Sequence, residues 1–113
     1  MADRADLVVK NGRIVSSPAS MSSNTCGNRG CNTVLSTDGT QDAILWAYEK
    51  SSSGGAILHA YSATDLSNEL WNSNMNSSRD QMQTGIGFAT PVVVDRRVIT
   101  AYDQSVVIYA PLN

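Results

Sequence analysis

Charged side chains are scarce in this 113-residue sequence: Asp, Glu, Lys and Arg make up 16% of it, against roughly 25% in soluble domains at large. The eight basic and ten acidic residues nearly cancel, for a formal charge of -2. There is no basic footprint for nucleic acid or anionic lipid. Long apolar runs are missing too. No stretch approaches the ~20 residues of a membrane helix, and the amino-terminal MADRADLVVKNG lacks the apolar core of a signal peptide. As written the chain starts in the cytoplasm, whereas its composition is that of secreted proteins; a longer exported parent reconciles the two. Histidine occurs once, at His59, and cysteine twice, at Cys26 and Cys31. A lone C-x4-C without a nearby His cannot complete a tetrahedral metal site, which leaves a local disulfide or two free thiols. In place of charge stand 15 Ser, 9 Asn and 8 Thr, a composition suited to strands and turns.

Apolar residues come in short bursts between turn-formers, and no window sustains the i, i+3, i+4 spacing of a long amphipathic helix. The sequence therefore predicts an all-β chain. Leu7 to Lys10 and Arg13 to Ser16 flank Asn11-Gly12, a strong hairpin signal, so residues 1–17 read as an amino-terminal hairpin. Residues 18–32, polar and carrying both cysteines, read as a loop. Strands follow at Thr33 to Thr37, Ala43 to Glu49, Ala56 to Ser62 and, after a turn from Ala63 to Asn68, Glu69 to Ser73. Residues 74–88 read as a second loop, and residues 89–113 hold three more strands, Ala89 to Val94, Arg97 to Tyr102 and Ser105 to Tyr109.

This is a repeat. Asn32 to Asp38 lies over Ala89 to Asp95, and Ala47-Tyr48 over Ala101-Tyr102. A spacing of about 50 residues between four-stranded antiparallel units matches β-propeller blades, whose apolar faces only neighbouring blades cover. Residues 33–73 form one complete blade and residues 89–113 a blade without its outer strand. A chain of this size buries only about two-thirds of its unfolded surface, and two blades cannot close a ring. The expectation is a homo-oligomer, with a trimer giving six blades, and with the amino-terminal hairpin supplying the missing strand within the chain or by exchange.

The run GAILHAYSATDLSNELW, residues 55–71, resembles the repeat of pyrroloquinoline quinone (PQQ) type β-propellers at Gly55, Leu58, Ala60, Ala63, Thr64, Leu70 and Trp71. The resemblance covers about residues 32–111. It departs from the family's tryptophan-docking turn at Ser62 and Ser67, which weakens the docking that the family implies for Trp71. Quinoprotein dehydrogenases of this kind need a vicinal disulfide, Ca²⁺ ligands and a catalytic Asp; no adjacent Cys-Cys occurs here, so PQQ is not expected. A dozen residues, ADLVVKNGRIVSS, also resemble the first hairpin of cyclic amidohydrolases, whose H-x-H metal pair this chain lacks.

The residues themselves assign no catalytic, cofactor-binding or metal-binding group. His59 shares a strand face with Ile57 and Tyr61 and has no partner nearby in sequence. Asp38, Asp42, Asp95 and Asp103 flank turns, where Asp bonds local backbone. Trp46, Trp71, Phe88, Tyr48, Tyr61, Tyr102 and Tyr109 recur at matching strand positions and read as inter-blade packing. Asn72, Asn74 and Asn76 alternate as weak candidates for a sugar or cation, against a solvated loop. Asn76-Ser77-Ser78 is a glycosylation sequon in a eukaryotic secretory host. The expected function is a non-catalytic propeller segment with a scaffolding or ligand-binding role, carbohydrate being one ligand class. The alternatives are a fragment of a quinoprotein-like dehydrogenase, inactive alone, and a free-standing β-sandwich. Neither nucleic acid nor membrane is an expected partner.

Overall fold

The computed structural model describes residues 3–5, 9–10, 12–14, 17–26, 30–39, 41–51, 55–86 and 89–112, with backbone alone at 3–5, 9, 10 and 14. The chain opens with an arm of two nested antiparallel pairs: β1 (Asp3–Ala5) runs beside β4 (Met21–Thr25), and between them β2 (Val9–Lys10) pairs with β3 (Arg13–Ile14). Gly12, at φ +74, occupies the β2–β3 turn in a conformation that favours glycine. The other turn residue, Asn11, and the strand-flanking residues 7, 8, 15 and 16 lie outside the described residues.

The expected loop at residues 18–32 is corrected by β4. Its Ser and Asn are weak strand formers, but β1 offers their backbone a ladder, and the side chains alternate as a strand requires. Ser22 is buried and Asn24 half-buried, between exposed Met21, Ser23 and Thr25. Cys26, buried at the end of β4, is disulfide-bonded to Cys31, with Cα atoms 5.6 Å apart.

Cys31 opens the larger sheet, an antiparallel meander of β5 (Cys31–Asp38), β6 (Gln41–Lys50), β7 (Ala56–Ser62) and β8 (Asp65–Asn72). β8 begins four residues earlier than the sequence suggests. The turn shrinks to Ala63-Thr64 because Leu66 is drawn into the core and the Asp65 carboxylate accepts the Ser67 N–H. The smaller sheet holds β9 (Val92–Val94), β10 (Arg97–Tyr102) and β11 (Ser105–Tyr109) in the order β11-β10-β9. Asp95 and Arg96, at φ 49 and 61, make the turn from β9 to β10, the twist that suits a two-residue hairpin. The segment between the sheets contains a single helical turn, α1 (Ser77–Asp80), and a bridge from Gly55 to Thr84.

The two sheets pack face to face because register puts large apolar side chains on facing sides. In the larger sheet Trp46 lies opposite Ala60, Tyr48 opposite Leu58, and Ala60 opposite Trp71. In the smaller one Val98 lies between Val93 and Tyr109. Tyr48, Ala56, Leu58, Met82 and Val98 form the buried centre, with Trp46, Trp71, Val93, Tyr102, Val107 and Tyr109 around it. Burial of a side chain the size of Leu58 or Val98 stabilises by about 1.5–3 kcal/mol. Asn32 of β5 also ties the larger sheet to the segment leading into β9, donating to the Ala89 carbonyl at 2.8 Å.

The back of the larger sheet carries a second cluster, Ala47, Tyr61 and Leu66 with Cys31 and Leu45, under the arm. Tyr61 therefore belongs to this cluster and not to the inter-sheet packing expected for it. Phe88 lies outside the described residues. The expectation that the hairpin completes the smaller sheet within one chain is also corrected: among the described residues β2–β3 is a separate two-stranded sheet, and β11 has no strand on its outer side. The base of the arm is held on the larger sheet by the disulfide and by Asn24, which donates to Tyr61 and Glu69.

Candidate functional site

The densest polar cluster sits on the back of the larger sheet, where three neighbouring strands each place one ionisable side chain. His59 comes from the middle of β7, Glu49 from the end of β6 and Glu69 from β8. The register pairs Tyr61 with Glu69 and Glu49 with Ile57, so both carboxylates lie diagonal to His59 and reach its ring from opposite sides. His59 Nε2 is 2.9 Å from Glu49 Oε1, and Nδ1 is 2.8 Å from Glu69 Oε2. The His59 side chain is 6% exposed, and its ring stacks on the Tyr61 ring with centroids 5.7 Å apart.

Glu69 is the hub. Its Oε1 accepts from Asn72 at 2.6 Å, and its Oε2 accepts from Asn24 at 2.9 Å as well as facing His59. Burial pushes the Glu69 carboxyl upward, but the hydrogen bonds from Asn72, His59 and Tyr61, with the His59 charge, outweigh it and hold the group below the usual carboxylate range.

Chemically the cluster is closed. Each ring nitrogen faces its own carboxylate, so neither is free to take a proton from a substrate. Nor do the three side chains aim at a common point: among the described residues no three His, Cys, Asp or Glu groups are placed to hold a metal ion. The sequence reading of His59 as a strand residue on the Ile57–Tyr61 face matches its position, and the partners it has are not sequence neighbours. Both partners stand ten residues away, one on each side. That equal spacing across two consecutive hairpins is the signal that would have found them.

A second feature is a cleft of ≈ 850 Å³ between the sheets, walled by Trp46, Trp71, Val93, Val107 and Tyr109. Trp71 meets Tyr109 edge-on at 5.3 Å. Trp46 Nε1 donates to Ser36 Oγ at 2.8 Å, and the Tyr109 hydroxyl donates to the Asp80 carbonyl at 2.6 Å. Burial first, then the nearby Asp80 charge, push the Tyr109 phenol up to about 12. The asparagine candidates fall at the end of β8, for Asn72, and in the turn after it, for Asn74 and Asn76, and are engaged locally. The Asn72 side-chain oxygen accepts the Asn74 N–H, and Asn76 Oδ1 accepts from Ser78 Oγ.

No protein family, curated protein or solved structure matches this chain.

Proposed function

We propose that this chain is a non-catalytic structural segment, a pair of blade-like sheets that serves as a scaffold and is completed by further copies of itself. The observation that carries the reading is the bare outer face of the smaller sheet. Val92, Val94, Ile99, Ala101, Val106 and Ile108 share that face by register, and Val106 and Ile108 are 72% and 57% exposed. Beside it runs the open edge of β11, an invitation to strand pairing.

The equivalent face of the larger sheet indicates what kind of cover fits. By the repeat, Leu45 and Ala47 correspond to Ile99 and Ala101, and in the larger sheet they belong to a cluster whose Tyr61 and Leu66 are bonded to the amino-terminal arm. The β2–β3 tip of the arm pairs with no other sheet among the described residues. The occupant in this reading is the β2–β3 tip of a second copy, added along β11 and over the Val106–Ile108 face. Three copies closed head to tail would make a six-sheet ring. The reading assigns no cofactor and no reaction.

One observation favours a second reading, a free-standing two-sheet sandwich. Tyr48 and Tyr102 are equivalent in the repeat, yet both point into the space between the sheets. Like faces meet, whereas blades related by rotation about a common axis join unlike faces. The double variant V106K/I108K separates the two readings. Charging the bare face is expected to dissolve the assembly into folded monomers under light scattering, with the circular dichroism of the sheets retained. A wild type and variant of identical mass would favour the sandwich.

A further inference from the structure

The hydrogen bonds around His59 require a proton that the three side chains do not hold in their ordinary neutral-ring form. A neutral imidazole offers one N–H and one bare lone pair, and an ionised carboxylate only accepts. With carboxylate oxygens 2.9 and 2.8 Å from the two ring nitrogens, a neutral ring between two carboxylates would set one lone pair against another. The geometry is satisfied when the cluster carries one proton more, either as imidazolium between two carboxylates or as one protonated carboxyl on a neutral ring. Two protonation states of one site thus correspond to two hydrogen-bond counts.

We propose that this extra proton is a pH-sensitive latch that fastens the amino-terminal arm across the back of the larger sheet. The connection runs through Glu69, which among the described residues is the carboxylate that touches both His59 and the arm. Its Oε2 faces His59 Nδ1 and accepts from Asn24 on β4, while Asn24 also donates to the Tyr61 hydroxyl at 3.2 Å. When the proton leaves, one ring nitrogen turns from donor to repelling lone pair, and the two carboxylates face each other across an uncharged ring. The Glu69 carboxylate then loses the positive charge opposite it and, in the tautomer that leaves Nδ1 bare, also the donor that fixes it in line with Asn24.

The titratable groups facing His59 are Glu49 from β6, Glu69 from β8 and the Tyr61 phenol from β7 itself. β4 contributes the uncharged Asn24, and β5 the disulfide-bonded Cys31, which pairs with Glu49 across the ladder. Among the described residues no lysine or arginine pairs with either carboxylate. Among the described residues the imidazole is therefore the local counter-charge, with no second cation paired to either carboxylate. The arm does not leave altogether, because the Cys26–Cys31 bond and the Ser20 hydroxyl, which accepts the Leu66 N–H at 2.9 Å, hold it at other points. Loosening is confined to β4, and what it uncovers is the Ala47–Tyr61–Leu66 cluster.

The test is amide hydrogen exchange on the full chain with its disulfide intact, followed from about pH 5 to about pH 9 so that stability linked to proton binding is read on both sides of neutrality, and corrected for intrinsic exchange. Protection of the Met21–Thr25 peptide is expected to fall about tenfold toward the alkaline end, the worth of one hydrogen bond. Protection of Arg97–Tyr102 in the other sheet is expected to hold steady. The decisive variant is E49Q, whose amide can donate to a bare Nε2 and so satisfies the cluster without the extra proton. It is expected to fold and to abolish the alkaline loss. Ring nitrogen shifts of wild-type His59 give an independent reading of the same point. A cluster holding the extra proton at neutral pH shows imidazolium, or a neutral ring beside a protonated carboxyl. Equal pH profiles for wild type and E49Q, a flat wild-type profile, or a neutral ring between two ionised carboxylates would overturn the latch.

Discussion

Glu69 shows how one side chain joins elements that the sequence keeps apart. Its carboxyl is held below the ordinary range by donors from β7 and β8 and also bonds Asn24 of β4, so the fold favours its ionised form. The stability this contributes is complete above the ordinary carboxylate range and is lost as pH falls through the depressed value. The urea midpoint of the wild type is therefore expected to drop more steeply than that of E69Q between about pH 6 and pH 3. At neutral pH E69Q is expected to cost about 1–3 kcal/mol, because Gln brings a donor into a site surrounded by donors. A pH dependence identical in the two proteins would refute the assignment. At the same scale Tyr109, raised to about 12, is the phenol expected to ionise late in a near-ultraviolet titration. Y109F should remove that last step. Little of this was legible from residue types: one histidine with no acidic neighbour reads as ordinary strand, and only two hairpins folded back on themselves bring Glu49 and Glu69 to it.

Among the elements, β6, β7, β10 and β11 follow directly from short apolar bursts bounded by Gly, Ser and Asp, because register and burial act on the same alternation. β4 does not. Its residues, MSSNT, carry almost no apolar signal, and the strand exists because β1 pairs with it and the disulfide fixes its end. Replacing Cys26 and Cys31 with Ser is expected to destabilise the chain by about 2 kcal/mol, the value for so short a loop. Protease nicking should then begin within the arm, leaving residues 31–72 intact. Preferential cutting inside the larger sheet would contradict the arm's place in the fold. The linker between the sheets reads in the sequence as polar loop, but Met82 enters the core and Gly85 lets the backbone pass close. A Cβ on Gly85 would lie 3.1 Å from Ala56 Cβ and 3.3 Å from the Gly55 carbonyl. Neither neighbour is a flexible chain end, so G85A is expected to cost about 1–2 kcal/mol in urea unfolding. An unchanged midpoint would show that the linker packs less closely.

At the scale of the whole molecule, the all-β class was legible because composition and period agree throughout. The relative placement of the sheets was not, since a repeat shows which faces are equivalent but not which of them meet. Tyr48 and Tyr102 make the point: the same position in the repeat, both turned inward. Covering the Val92–Ile108 face is what the scaffold reading demands of a partner. The measurement that tests it most directly is the mass of the purified chain in solution by light scattering across a concentration series. Assembly through arm exchange predicts a stable multiple of 12.1 kDa, with the trimer at about three times that value. A species that stays at the mass of a single chain throughout would contradict it.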